Sequence, residues 1–291
     1  MSEAYIIDAV RTPVGRRGGG LAEEHPADLG AHAIKGLMDR VGIDPMTVDD
    51  VIMGCLDNMG PQAGDIARTA WLAAGMPEAI PGVTVDRQCG SGQQAVSFAA
   101  MGVMSGVQDI VVAGGMQNMS LIPIGSAMDV MGHESIGRPD IEDPFSTSKG
   151  WVERYGTQEV SQFRGAELIA KKWDLTRQQL EEFALESHER AARAQDEGRF
   201  DNEILPYGEV TQDEGVRRGT TLEKMAQLPT LEEGGVITAA VASQFRSRLR
   251  QWRAVYTLFA MPTSCDRFDY RWSVEARALF FCVETQPARK T

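Results

Sequence analysis

A cysteine followed by three small residues is the stretch of this sequence with the clearest chemical potential. Cys89 comes shortly after a β-branched run, Val83–Val85, and precedes Gly-Ser-Gly, after which the sequence from Gln93 onward is compatible with a helix. The pattern predicts a turn from a strand to a helix, with the thiol at the helix N-terminus. Unpaired backbone N–H groups and the positive end of the helix dipole both favour a thiolate there. We therefore predict that Cys89 is a nucleophile and that its own backbone N–H donates to an oxyanion.

The alternative for a lone cysteine is a small, buried hydrophobic residue. The residues after Cys89 argue against it, because an apolar core does not call for Gly-Ser-Gly, whereas glycines let a substrate carbonyl approach the sulfur closely. The other three cysteines, Cys55, Cys265 and Cys282, show no metal-type spacing and no close pairing, and the four histidines are scattered. We therefore expect reduced thiols and no metal centre.

Strand-like and helix-like segments alternate ahead of and just after Cys89. This alternation is typical of a mostly parallel sheet covered by helices. Sites in such sheets lie at the carboxyl ends of the strands, and Cys89 falls at such an end. The predicted strands are residues 5–10, 51–54, 83–85 and 109–113, and the predicted helices are residues 26–41, 63–74 and 89–104.

From about Leu121 to Pro229 the alternation is lost, and polar helices and loops follow. Thr176 and Gln179 have the spacing of a capping box, so a helix is expected to begin there, and Gly198 is expected to end it. This part of the chain therefore differs in architecture from the part that carries Cys89.

Four ordered blocks of the sequence resemble the thiolase family, the acyl-CoA C-acyltransferases. They are Asp8–Gly15, Asp65–Arg68 with Ala74–Pro77, Cys89–Gly92 in its strand-to-helix turn, and Ala113–Ser120. The resemblance runs from residue 4 to about residue 244. It implies a thiolase-like α/β half, a mixed and mostly parallel sheet covered by helices, with an inserted, mainly helical loop domain and without the second thiolase half. We expect the core at 1–120, and the inserted domain with the return to the core at 121–244.

The resemblance implies acyl transfer in two covalent stages. Cys89 attacks an acyl-CoA thioester or the keto carbon of a 3-ketoacyl-CoA, and the acyl group then passes to coenzyme A or to the α-carbon of acetyl-CoA. Coenzyme A and acyl-CoA are substrates, and no permanently bound cofactor is expected.

Position in the family pattern assigns two binding residues. Arg217 falls near the nucleotide end of coenzyme A, and Ser243 falls where a serine meets the pantetheine arm. A solvated loop arginine and a capping serine are the alternatives. Two departures from the pattern, Ser161-Gln162-Phe163 and Val241, leave the acyl substrate open.

Three further segments of the family pattern do not occur in this sequence. They are a Gly-His-Pro segment whose histidine activates the nucleophile, a Cys-x-Gly segment whose cysteine moves the α-proton, and an Asn-Glu-Ala-Phe segment that supplies an oxyanion donor. General acid–base catalysis contributes about 10²- to 10⁴-fold, and one oxyanion donor about 10²- to 10³-fold. We expect this chain, as a truncated thiolase, to be close to inactive.

The last part of the sequence, residues 245–291, changes character. It holds 9 Lys and Arg against 4 Asp and Glu, 9 of the 20 aromatic residues and none of the 30 glycines. Our hypothesis is that this basic tail is the product of a shifted reading frame and unrelated to the thiolase pattern. The rival interpretation is a genuine arm that binds an acidic partner or RNA.

The overall charge bounds the class of partner. A net charge of −12 argues against nucleic acid or an anionic membrane surface as a partner of the whole chain. The sequence has no apolar run of 18 residues, and it does not begin with a signal peptide, so we predict a cytoplasmic protein. The resemblance also implies a homo-oligomer, a dimer or a tetramer.

Two other functions stay open. One is a non-catalytic fragment that holds coenzyme A or pairs with a full-length relative. The other is a ketoacyl-synthase-like condensing enzyme, which shares the strand-cysteine-helix layout, although an Ala-Cys-Ser-Ser type of segment is expected there instead of Cys-Gly-Ser-Gly.

Overall fold

The computed structural model describes residues 3–129, 144–242 and 279–285, the last seven as backbone alone. These residues divide into two compact units. Unit 1 comprises residues 3–122, 198–215 and 279–285, and unit 2 comprises residues 123–129, 144–197 and 216–242.

Unit 1 is built on a five-stranded sheet. Strand β2 is parallel to both β3 and β4, whereas β5 is antiparallel to both β1 and β4. The order across the sheet is β1-β5-β4-β2-β3. The predicted fold class, a mixed and mostly parallel sheet covered by helices, is therefore confirmed. The strands are β1 Ala4–Arg11, β2 Asp50–Gly54, β3 Gly82–Val85, β4 Ile110–Gly115 and β5 Leu279–Thr285.

Strand β5 comes from the basic tail. It lies between β1 and β4, and Phe281 pairs with Ala9 on one side and with Ala113 on the other. Seven residues of the tail therefore complete the sheet of unit 1. The remainder of the tail, including Cys265, lies outside the described residues.

Helices cover both faces of this sheet. Helices α1 (Pro26–Val41) and α2 (Ile66–Ala73) pack on one face, and α3 (Ser91–Ser105) packs on the other. The alternation of strand side chains separates the two cores, because successive side chains point to opposite faces. The α1 and α2 core takes Val51, Met53 and Val112, and the α3 core takes Ile52, Val111 and Ala113.

Local capping explains where the helices begin and end. Helix α1 ends at Gly42, whose φ of +69° makes glycine the favoured residue, as the sequence predicts. Helix α2 begins three residues later than predicted, because the Asp65 side chain accepts from the Arg68 N–H and caps it there. The prediction that α3 begins at Cys89 is wrong: Gly90 is its N-cap, and Cys89 precedes the cap.

Residues 198–215 belong to unit 1, and Arg11 bonds them to strand β1. The backbone N–H of Arg11 donates to the Glu203 carbonyl, and the Arg11 carbonyl accepts from the Leu205 N–H, each at 2.8 Å. The guanidinium of Arg11 is buried and lies 2.7 Å from the Glu203 carboxylate and 2.6 Å from the Asp213 carboxylate. This paired cation fastens the segment to the end of β1.

Unit 2 is helical. The capping box predicted at Thr176 and Gln179 is confirmed at the start of its longest helix. The Glu167 carboxylate accepts the N–H groups of Val236 and Ile237, which ties residues 236–237 to a second helix. None of the helices in the described ranges is long and apolar enough to cross a membrane. The helices are α4 Ser126–Asp129, α5 Lys149–Tyr155, α6 Gln162–Lys172, α7 Arg177–Asp196 and α8 Leu222–Ala226.

Candidate active site

Cys89 lies in the turn between β3 and α3. Strand β3 ends at Val85, and the N-cap of α3 is Gly90, so the thiol sits at the carboxyl end of a parallel strand and one residue before the helix cap. Cys89 is exposed to solvent. The strand-to-helix turn and its place at the edge of the sheet agree with the sequence prediction.

Short hydrogen bonds close this turn around a strained residue. Gln88, directly before Cys89, has a φ of +49°, a conformation that costs energy in a residue other than glycine. The Ser91 hydroxyl accepts from the Arg87 N–H at 2.8 Å and donates to the Gln88 carbonyl at 2.5 Å, while the Gln88 N–H donates to the Asp86 carboxylate at 2.8 Å. Ser91 therefore fixes the backbone that presents Cys89, a role that the sequence pattern did not reveal.

Two glycines of the sheet, Gly54 and Gly115, let the first turn of α3 rest directly on it at Gly92. We call Gly54, Gly92 and Gly115 the glycine platform. A Cβ on Gly54 would overlap the backbone of Ser91 and Gly92, and one on Gly115 would lie 2.9 Å from the Gly54 carbonyl oxygen. A Cβ on Gly92 itself would lie 3.8 Å from the Gly114 carbonyl oxygen, an ordinary contact, so packing on the sheet does not require glycine there. The role in substrate approach expected for the glycines after Cys89 stays a prediction.

The two described thiols have opposite environments. Cys55 is 2% exposed, and its Sγ donates to the Leu56 carbonyl at 3.4 Å. Burial, and to a lesser extent the nearby carboxylates of Asp57 and Asp86, together raise the pKa of the Cys55 thiol to about 12. Cys55 is therefore protonated and shielded at neutral pH, whereas Cys89 is accessible at the surface.

Arg217 belongs to unit 2, where its backbone is held by a histidine. The Arg217 N–H donates to His188 Nδ1 at 3.3 Å, and the pKa of His188 is lowered, first by burial and then by the Arg217 charge. Arg217 is exposed, and its guanidinium has no ion-pair partner among the described residues. The next residue, Arg218, instead pairs with both oxygens of Asp196, at 2.7 and 2.9 Å.

Ser243 lies outside the described residues, which stop at Ala242 in this part of the chain. Cys89 and Arg217 are each described within their own unit. The two departures from the family pattern meet in unit 2, because Val241 packs against the cluster formed by Phe163, Ala166 and Ile237. Ser161 caps α6 by accepting from the Arg164 N–H.

No group of three side chains suited to a metal ion is found in the described ranges. The chemistry that these ranges offer is therefore that of an exposed thiol held in a closed turn, together with an exposed arginine suited to an anionic group.

Comparison with known proteins finds a matching family and relatives that share most of this chain. The sequence model of the family described as Thiolase, N-terminal domain, matches residues 4–246. A steroid 3-ketoacyl-CoA thiolase of Mycobacterium tuberculosis is 59% identical over 248 residues, which cover 84% of this chain and 60% of the relative. A 3-oxoadipyl-CoA/3-oxo-5,6-dehydrosuberyl-CoA thiolase of Escherichia coli is 36% identical over 261 residues, and a 3-ketoacyl-CoA thiolase of Bacillus subtilis is 36% identical over 264 residues, each covering 84% of this chain and 63% of the relative. The chain thus spans less than two thirds of the length of these relatives.

Proposed function

Because the chain belongs to the thiolase family, through that family's N-terminal domain, we propose that it supplies the nucleophile half of an acyl-CoA C-acyltransferase, with Cys89 as the residue that becomes acylated. The observation that carries this proposal is the setting of Cys89. It is an exposed thiol, at the carboxyl end of a parallel strand, in a turn that Ser91 and the glycine platform hold in place.

The proposed reaction begins with attack by the Cys89 thiolate on the keto carbon of a 3-ketoacyl-CoA. This attack forms the C–S bond and a tetrahedral oxyanion, whose collapse breaks the bond between the α-carbon and the keto carbon. The departing acetyl-CoA carbanion takes up a proton from water. The shortened acyl group remains as a thioester on Sγ and then passes to the thiol of coenzyme A. In the condensing direction Cys89 attacks an acyl-CoA thioester, and the thiolate of coenzyme A leaves. The backbone N–H of Cys89 is the proposed donor to the oxyanion.

Arg217 is the proposed contact to the nucleotide end of coenzyme A. The phosphates of coenzyme A are anionic, and arginine pairs well with phosphate oxygens. Within the described ranges the Arg217 guanidinium has no ion-pair partner, whereas Arg218 forms an ion pair with Asp196, and this difference supports the choice of Arg217. Ser243 stays the proposed contact to the pantetheine arm on the strength of the family pattern alone.

The names of the relatives favour 3-oxoacyl-CoA thioesters as substrates. The relative at 59% identity is named for steroid 3-ketoacyl-CoA substrates, and those at 36% are named for 3-oxoadipyl-CoA and 3-ketoacyl-CoA. We infer that a 3-ketoacyl-CoA derived from a steroid or another lipid is cleaved in a step of the β-oxidation type. A cytoplasmic homo-oligomer is part of the same proposal.

Turnover needs groups that this sequence does not contain. The segments that would supply the activating histidine, the α-proton base and the oxyanion asparagine are missing. We therefore propose that the chain alone becomes acylated and turns over at least about 10²-fold more slowly than a thiolase with the acid–base groups present.

The test is to mix the purified chain with acetoacetyl-CoA and coenzyme A and to follow the loss of the 3-ketoacyl thioester, with Cys89→Ala as the control. A burst of no more than one equivalent per chain, lost in Cys89→Ala, supports the proposal. Sustained turnover that depends on Cys89 would show that other groups replace the missing segments. Coenzyme A binding without any burst would favour the alternative, a non-catalytic binding fragment.

A further inference from the structure

We infer that two buried amides, those of Gln62 and Asn118, act together as positioning residues for Cys89. This inference rests on the proposed role of Cys89 as the acylated nucleophile. Neither amide belongs to the turn that carries Cys89. Gln62 instead ends a short 3-10 helix after β2, and Asn118 lies in the loop after β4 of the same sheet.

The side chain of Gln62 is completely buried and fully bonded. Its Nε2 donates to the carbonyls of Leu56 and Asp57, at 3.3 and 3.1 Å, and its Oε1 accepts the backbone N–H of Asn118 at 2.9 Å. Asp57 has a φ of +52°, so one of the two carbonyls belongs to a strained residue. Gln62 therefore closes a strained loop after β2 and joins it to the segment after β4.

Asn118 continues the network to a third loop. It is 1% exposed, and its Nδ2 lies 3.0, 3.1 and 2.8 Å from the carbonyl oxygens of Leu21, Ala22 and Glu24. Its Oδ1 accepts the N–H groups of two residues that follow it in the chain. A buried network in which each polar atom is bonded rigidifies the backbone around it, whereas one broken member leaves several groups unsatisfied.

The network is attached to the glycine platform under the first turn of α3. The loop that Gln62 closes starts directly after Gly54, and the segment that ends at Asn118 starts directly after Gly115. The Met116 N–H donates to the Gly54 carbonyl at 3.1 Å, and this hydrogen bond links the beginning of the segment after β4 to the beginning of the segment after β2. A shift of either loop therefore moves the surface on which the first turn of α3 rests, and the neighbouring thiol moves with it.

The test separates positioning from general stability. Gln62→Glu keeps the size of the side chain but removes the two donors that close the loop. We expect acylation of Cys89 by acetoacetyl-CoA in a single turnover to fall by about 10- to 100-fold, because a displacement of about 1 Å costs up to about that much in rate. Alkylation of Cys89 by iodoacetamide, which needs no oriented substrate, is expected to stay within about threefold.

Two controls complete the experiment. Ile34→Val destabilises a fully buried apolar site in α1 and removes no hydrogen bond of the network, and it should leave both rates unchanged at a temperature where the protein is folded. If Gln62→Glu does not fold, Gln62→Met removes the polar atoms without adding a charge.

The outcomes are distinguishable. A wild-type chain that is never acylated contradicts the proposed function. A wild-type chain that is acylated, with a folded Gln62 variant acylated equally fast, overturns the positioning role. Equal loss of the acylation and alkylation rates, or failure of both variants to fold, shows that the amides only maintain the fold and also overturns it.

Discussion

The contrast between Cys89 and Cys55 shows how environment separates two thiols of one chain. Burial and two carboxylates hold the pKa of Cys55 at about 12, so at pH 8 almost none of it is thiolate. The reactive species in alkylation is the thiolate. We therefore expect iodoacetamide to modify Cys89 at pH 8 while Cys55 stays unmodified in the folded chain, as measured by peptide mass spectrometry. Modification of both at the same rate would contradict the assigned environments, and full modification of both in urea is the control.

Arg217 and Arg218 form a matched pair for the binding proposal. A hydrogen bond to a charged group is worth about 1.5–3 kcal/mol, so Arg217→Ala is expected to weaken coenzyme A binding by about 10- to 100-fold. Arg218→Ala removes an exposed ion pair with Asp196 and the exposed hydrogen bonds to Ala192 and Gln195, and it should change the Kd by about twofold or less. Calorimetric titration with coenzyme A measures both. A larger loss in Arg218→Ala would show that the wrong arginine has been assigned.

At the scale of single residues, the sequence could reveal only what is local. The turn at Cys89 is predictable because a β-branched run, small residues and a helix-forming stretch are adjacent in the chain. Ser91 was visible only as a small residue, because its role depends on bonds to Arg87 and Gln88 in a strained turn. The sequence does not show that Arg218 forms an ion pair while Arg217 has no ion-pair partner among the described residues, since the partner of Arg218, Asp196, is distant in sequence.

At the scale of elements, the fit between α3 and the sheet depends on the glycine platform. Gly54→Ala places a methyl group in the backbone of the first turn of α3, so we expect a loss of about 1–3 kcal/mol in the free energy of unfolding and a slower acylation of Cys89. Urea denaturation measures the first effect.

Gly165→Ala is the matched control, since it adds the same methyl group within α6, where no described atom beyond its chain neighbours and the helix's own backbone lies within 4 Å. Alanine is the better helix former, so this variant should gain about 0.5–1 kcal/mol. An equally small effect of both substitutions would show that α3 does not rest on Gly54.

Element types were more predictable than their connections. The strands and helices of unit 1 follow from alternation and helix stops such as Gly42. The attachment of residues 198–215 to unit 1 is not visible in the sequence, because it depends on the buried pairing of Arg11 with Glu203 and Asp213. Gln62 and Asn118 were missed for the same reason, since their partners lie in separate loops.

At the scale of the whole molecule, the tail strand β5 decides whether the sheet of unit 1 is continuous. Deleting residues 279–291 removes the strand between β1 and β4, so the backbone groups of β1 lose their sheet partner. We expect the amides of β1 to exchange with deuterium much faster in this variant, while those of β2 keep their protection. Deletion of residues 286–291 alone is the control, and unchanged exchange in β1 after the longer deletion would contradict the pairing.

The outer surface of α3 carries exposed apolar side chains, and this affects whether the molecule associates in solution. The helix contains no charged residue, and Phe98, Met101 and Met104 are 43%, 60% and 48% exposed. An uncharged stripe of this kind favours association. The homo-oligomer expected from the sequence stays a prediction, and this surface is a physical reason to expect association of some kind.

The most direct test of the account is to incubate the chain with acetoacetyl-CoA, quench it in acid and map acyl groups by peptide mass spectrometry. We predict an acetyl group on Cys89, none on Cys55, and loss of the adduct in Cys89→Ala. Absence of the adduct from a folded wild-type chain that binds coenzyme A, or equal labelling of both cysteines, would contradict the claim that the turn before α3 presents an acyl-accepting nucleophile.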